Sequence, residues 1–197
     1  MKAFCVALVS AGIGASLPAA AQETAPPRKS VQLTKVRFDT ETHPIKARVK
    51  GGTACVFASH IDLPQLKKTQ DSERFDALFS TEMKSQGYSV VSTSGDLFAD
   101  ESGQKGELLI GAVVEPVNIN VCSSFKGMKG SIAAKVHWQV YDRASQKVVD
   151  TADTEGTGTV AAFGVNAFDE MWNLAFVEAL KNLAEGPVMQ KDARFLP

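Results

Sequence analysis

Charge of one sign, long apolar runs and catalytic signatures are all scarce in this 197-residue chain. Its 21 Lys and Arg stand against 22 Asp and Glu, a formal net charge of −1. That balance gives the whole chain no electrostatic case for a nucleic acid or an anionic membrane. Beyond the N-terminus no apolar run approaches the roughly 20 residues that a membrane-spanning helix needs, so no membrane span is expected. There are only three histidines, His43, His60 and His137. No Gly-x-Ser-x-Gly elbow and no Gly-Asp-Ser-Gly-Gly is present, which removes the usual settings of a serine nucleophile. No Cys-x-x-Cys or clustered histidine offers a metal site. Gly156-Thr157-Gly158 lacks the Lys-Ser/Thr that would open a helix after a phosphate loop.

What the chain does have begins at residue 1. Lys2, an apolar stretch Phe4–Leu17 and Ala19-Ala20-Ala21 before Gln22 form the three regions of a secretory signal peptide. Cleavage is expected after Ala21, leaving a periplasmic or secreted protein. Removing Lys2 leaves 20 basic against 22 acidic residues, a net −2. A lipoprotein would carry cysteine immediately after the cleavage point. Gln22 stands there, so no lipid anchor is expected. Of three cysteines, Cys5 falls in the signal and leaves Cys55 and Cys122. An oxidising compartment and an even count favour a disulfide between them, and two buried free thiols are the alternative.

The strongest local pattern runs from Lys129 to Gly158. Ile132, Ala134, Val136, Trp138 and Val140 alternate with Ala133, Lys135, His137, Gln139 and Tyr141, a period of two. Asp142–Ser145 reads as a turn, and an extended arm resumes at Gln146. The segment is therefore expected to be a long hairpin with Trp138 as its buried anchor. Upstream, Gln22–Ser30 is Pro-rich and reads as a disordered or extended leader, Val31–Phe38 and Ile45–Val49 read as strands, and Thr53–Phe57 as a core strand. Phe75, Leu78, Phe79 and Met83 recur at helical spacing after an N-cap at Asp71 or Ser72, and Gly87 ends that helix. Leu108–Val114 is nearly continuously apolar and belongs at the sheet centre, with Pro116 expected to limit pairing beyond it. Phe168, Met171, Trp172, Ala175, Ala179 and Leu183 form the stripe of a second helix, capped by Asn166 and ended by Gly186-Pro187.

The fold class expected is α+β: a mostly antiparallel sheet with a long C-terminal hairpin and two main helices packed on one face. The division is 1–21 signal peptide, 22–50 extended leader with an N-terminal strand, 51–186 a single α+β domain, and 187–197 a tail. Trp138, Trp172, Phe75 and Phe79 are the expected structural anchors.

Candidate chemistry is thin. His43 precedes a proline, His60 merely follows Ser59 in sequence, and His137 lies on the polar face of the hairpin. The carboxylate pairs Asp100-Glu101 and Asp169-Glu170 read as solvated charge. Asp150, Asp153 and Glu155 resemble a calcium loop only in part. Lys126, Lys129 and Lys135 around Phe125 make a weak basic patch, and Phe163, Phe168 and Trp172 read as core at helical spacing.

Phe75 and Leu78, Gly87-Tyr88-Ser89-Val90-Val91, Leu108-Leu109-Ile110-Gly111-Ala112, Asn120-Val121-Cys122 and Trp138-Gln139-Val140-Tyr141-Asp142, with Lys147-Val148-Val149 and Gly156, carry a resemblance. Over roughly Thr53–Glu185 the chain resembles a periplasmic α/β module similar to the N-terminal extension of some bacterial trypsin-like peptidases. More distantly it is similar to the small domain of the Tol-system periplasmic protein and the curli secretion channel. The resemblance implies a non-catalytic domain that binds other envelope proteins or peptidoglycan-associated partners. The function expected is therefore an exported, non-enzymatic interaction module of the cell envelope with a protein partner. No catalytic, cofactor or metal residues are expected. A periplasmic small-molecule or glycan-binding protein is the first alternative, and an unusual hydrolase the second.

Overall fold

Alternation over Ile132–Val140 belongs to the middle of a strand that pairs along its whole length on both sides. The computed structural model describes residues 29–39, 45–63, 72–91 and 105–192. Its elements are β1 (Val31–Phe38), β2 (Ile45–Gly51), β3 (Phe57–Leu63), α1 (Ser72–Ser85), β4 (Leu108–Ser124), β5 (Gly127–Asp142), β6 (Lys147–Gly164), α2 (Ala167–Glu185) and α3 (Pro187–Asp192). The sheet runs β3-β2-β4-β5-β6, and β1 also pairs β4. The architecture is α+β with a mixed sheet. β2–β3, β4–β5 and β5–β6 are antiparallel, whereas β1 and β2 both run parallel to β4. These two strands share one edge of β4, with β1 along Leu108–Val114 and β2 along Ile119–Ser123.

The period of two decides which face is covered. Ile110, Ala112, Val114, Ile119, Ile132, Ala134, Val136, Trp138 and Val140 are buried and join residues of α1 and α2 in one core cluster. Aromatic contacts tie the layers together. Phe176 of α2 stacks edge-on against Phe75 of α1 at 4.7 Å and sits 5.7 Å from Trp138. Trp138 is 1% exposed, and its indole N–H donates to Thr154 Oγ1 at 2.7 Å. Thr154 in turn donates to the Ala179 carbonyl at 2.8 Å, so a polar thread crosses from sheet to helix. Phe75, Phe79 and Trp172 are each at most 1% exposed.

Helix ends follow their residues. Gly87 has φ +82°, its N–H donates to the Lys84 carbonyl, and the Tyr88 N–H donates to the Met83 carbonyl. That double bond is the Schellman closure, which needs the left-handed conformation that glycine adopts cheaply. At the other helix Gly186 is extended (φ −73°, ψ 161°), not the left-handed terminator expected there. The reason is Pro187. Its fixed φ and missing N–H suit the first position of a new helix, so Gly186 links α2 to α3 and accepts from the Gln190 N–H. Residues 187–192 are therefore helical, and Met189 is 1% exposed. Within those residues this corrects the expectation of a loosely ordered tail.

Three other expectations are corrected. Pro116 does not limit pairing: β4 continues to Ser124, and its missing N–H is accommodated by a bulge between Pro116 and Asn118. Thr53–Phe57 is no core strand. Gly52 and Cys55 have φ of +81° and +56° and turn β2 back into β3. Val56 and Phe57 consequently face outward. The division at residue 51 falls inside β2, because β1 and β2 are both built into the sheet.

Cys55 and Cys122 are bridged, with Cα atoms 5.6 Å apart. The bond fastens the β2–β3 turn to β4 across a sequence separation of 67. A loop of that length is worth about 4 kcal/mol in the chain-entropy account. Reduction should lower the stability of the protein by about that amount. Equilibrium urea unfolding with and without reductant measures it, and unchanged midpoints would refute it. Trp138→Ala should cost about 3–5 kcal/mol, the range for removing a buried aromatic, read in the same titration of the oxidised protein.

Candidate functional site

The face of the sheet opposite the helices carries the alternate side chains of β4, β5 and β6. At its middle, His137 lies between two carboxylates. Nδ1 is 2.6 Å from Asp153 Oδ1 and Nε2 is 3.3 Å from Glu115 Oε2. The registers His137↔Val113 and His137↔Asp153 bring these neighbours together. Lys135 reaches Asp153 Oδ2 at 3.1 Å. With an acceptor at each ring nitrogen, the arrangement suits the imidazolium, which donates from both. The His137 pKa is raised above 6.5, first by the hydrogen bond to Asp153, and the Asp153 pKa is lowered, first by His137. Carboxylates on both sides favour the protonated ring. His60 stands on β3, with β2 and β4 between it and the strand of His137. Its cross-strand neighbour is Arg48. His43 and the pair Asp100-Glu101 lie outside the described residues. Asp169 pairs with Arg74 at 3.2 Å. Among the described residues no His, Cys, Asp and Glu cluster is placed to hold a metal ion.

At one end of this face the start of β4 and the β5–β6 turn form a shallow depression of about 630 Å3 over Gly111. Thr34, Gln139, Tyr141, Arg143 and Gln146 supply its polar rim. Beside it Asp142 accepts from Lys29 Nζ at 2.8 Å and from the Ser145 N–H at 2.9 Å. These bonds, Lys29 foremost, hold its pKa down to about 2.

The opposite end has the reverse character. The β2–β3 turn, the β4–β5 turn and the β6–α2 turn all arrive there, because β2, β4 and β6 run in one direction. They carry Val56, Phe57, Phe125 and Val165, each between 71% and 87% exposed. The strand ends and turns that form this end, 47–60, 118–134 and 156–168, contain Arg48, Lys50, Lys126 and Lys129 and no Asp or Glu, although Asp169 and Glu170 follow at once in the first turn of α2. Lys126 Nζ lies 5.7 Å from the Phe125 ring centre and Lys129 Nζ 4.6 Å from that of Phe163. On the open face, next to the disulfide, Lys50, Lys129, Asn120, Ser131 and Thr159 line a second depression of about 400 Å3. Of the basic patch read in the sequence, Lys126 and Lys129 with Phe125 come together, while Lys135 is drawn away to Asp153. Phe57 was missed, because an apolar residue after a β-branched run reads as core. The available signal was the lack of acid in three separate windows.

No protein-family model matches the chain, and no curated protein matches it. Solved structures do share its general course. A DUF330 protein of Xanthomonas campestris aligns with 7% identity over 86% of this chain and 90% of its own, at a TM-score of 0.43. PelC of Paraburkholderia phytofirmans, solved as a dodecamer, has 11% identity over 82% and 92%, at 0.39. A minor lipoprotein of Acinetobacter baumannii has 9% identity over 86% and 97%, at 0.38. At these identities and scores the likeness bears on no function.

The His137 cluster has a defined pH signature. Because the folded pKa is raised, its stabilisation is complete below the unfolded value near 6.5 and is lost as pH rises through the folded value. NMR titration of the His137 ring should give a midpoint above 6.5, and Asp153→Asn should lower it. A midpoint at or below 6.5 in the unaltered protein would show that the carboxylates do not hold the proton.

Proposed function

We propose that the chain is an exported, non-enzymatic interaction module of the cell envelope, and that it works through the acid-free end of its sheet. One observation carries the reading: four large apolar side chains from three separate turns are exposed at the same end of the sheet, where a disulfide fastens one of those turns to β4. Soluble proteins rarely present contiguous apolar surface without a use for it. The turn tips here lie outside the core cluster that stabilises the fold, so their exposure is not needed for folding. The bridge supports an oxidising location, where such bonds persist. Among the described residues no helix is long and apolar enough to cross a membrane. The signal peptide expected at residues 1–21 would supply export. A non-catalytic role agrees with the site chemistry above, since the best-placed histidine is held between carboxylates.

The depression over Gly111 favours a second reading, a glycan or other small polar ligand, because amide, hydroxyl and guanidinium groups converge on it. Photocrosslinking in intact cells separates the two. A photoreactive residue at Phe125 should give adducts with envelope components, and one at Gln139 should not. Adducts at Gln139 alone would favour the ligand reading, and adducts at neither position would defeat both.

A further inference from the structure

We infer that the partner met by the acid-free end is an anionic phospholipid surface. The inference rests on the proposed docking role of that end and names what it docks on. Shape is the first argument. Val56, Phe57, Phe125 and Val165 sit at the tips of turns and project outward. Projecting side chains insert one by one into a fluid layer, whereas a protein partner would need a separate hollow for each.

Charge is the second. The chain as a whole is slightly acidic, yet the three segments at this end carry four cations and no anion. Most acids of the sheet lie elsewhere: Asp153, Glu115 and Glu155 at mid-sheet, Glu107, Asp142 and Asp150 towards the far end; of the two acids in the first turn of α2 beside this end, Asp169 is paired with Arg74 and Glu170 follows it. A molecule so divided is attracted end-on to a negative surface even when its net charge is not positive. Each lysine near such a surface contributes about a fivefold gain in binding.

The third argument is the way cation and ring are paired. Lys126 lies beside Phe125 and Lys129 beside Phe163. A lysine stem can run along an apolar body while its ammonium stays at headgroup level. The depression between Lys50 and Lys129, with Asn120, Ser131 and Thr159 around it, offers two ammonium groups, hydroxyls and an amide to one phosphate at that level. The disulfide holds the Phe57 turn against the strand that leads to Phe125, so the apolar tips meet the layer as a set.

Vesicle flotation tests this with the exported chain, disulfide intact. The protein should float with phosphatidylglycerol–phosphatidylethanolamine vesicles and at least tenfold less with phosphatidylcholine alone. Binding should weaken as salt is added, since screening shortens the reach of the lysines. Phe57→Ser with Phe125→Ser should reduce binding at least tenfold, as should Lys126→Glu with Lys129→Glu. All four side chains lie outside the core, so unchanged urea midpoints certify the fold of both variants. Trp138 and Trp172 are each 1% exposed, so Phe125→Trp adds a surface fluorophore whose emission should shift to the blue on anionic vesicles. Absence of flotation with anionic vesicles, or flotation that survives both double variants, overturns the inference. If flotation is absent but Phe125 still crosslinks to a protein in cells, the docking role stands and the lipid assignment falls. If Phe125 gives no adduct of either kind, the docking role falls with it.

Discussion

The closeness of α2 to β6 is the constraint on which the rest of the fold depends. At Gly156 and Gly158 the helix backbone lies where a side chain would otherwise stand: a Cβ on Gly158 would collide with the Met171 carbonyl, and one on Gly156 with that of Ala175. The helix answers with Ala175 and Ala179 along its own contact line. Bringing the axis this near the sheet lets Phe176 reach Trp138 of β5 and Trp172 reach Phe38 of β1. Phe176 then provides the surface that receives Phe75, so α1 is placed by α2 as much as by the sheet. The same approach protects the β6 edge. Asn182 donates to the Glu155 carbonyl, and Glu178 accepts from the Thr157 N–H. An 18-residue edge strand is otherwise open to pairing with another chain.

Much of this is legible in the residues and some of it is not. The period of two in β5 and the helical stripes of α1 and α2 can be read directly, because burial on one face imposes them. The parallel attachment of β1 and β2 cannot, since a short strand has the same pattern whichever direction its partner runs. Pro116 misleads because a missing N–H normally ends pairing, and a single bulged residue is enough to avoid that. Thr53–Phe57 misleads for a different reason. β-Branched and apolar residues beside a cysteine describe a core strand equally well as a cross-linked turn. Apolar character there reports exposure at a surface, and only the third dimension separates the two.

The division of charge is likewise hidden in a linear reading. Whole-chain balance averages over charges that the strands sort into separate regions. Acidic residues of β5 and β6 collect at mid-sheet and at one end, where Asp142 is neutralised by Lys29 and Asp153 by Lys135 and His137. The cations of the other end face no acid within the segments that build it. Three windows of sequence, none unusual alone, make that end only when β2, β4 and β6 stop at the same level.

Exposed apolar side chains usually threaten the fold that carries them, and the acid-free end shows how the two can be kept apart. Its turns are shaped by groups other than the exposed ones. Gly127 and Gly130 have φ of +106° and +145°, and a Cβ on either would strike the Gly164 or Asn120 carbonyl. Both positions therefore need glycine for reasons of backbone alone. The β2–β3 turn is fixed by Gly52 and by the bond from Cys55 to Cys122. Phe57, Phe125, Val56 and Val165 contribute nothing to the core cluster. They can be apolar without bearing on the fold, because covalent linkage and glycine hold the surface that burial would normally have to hold.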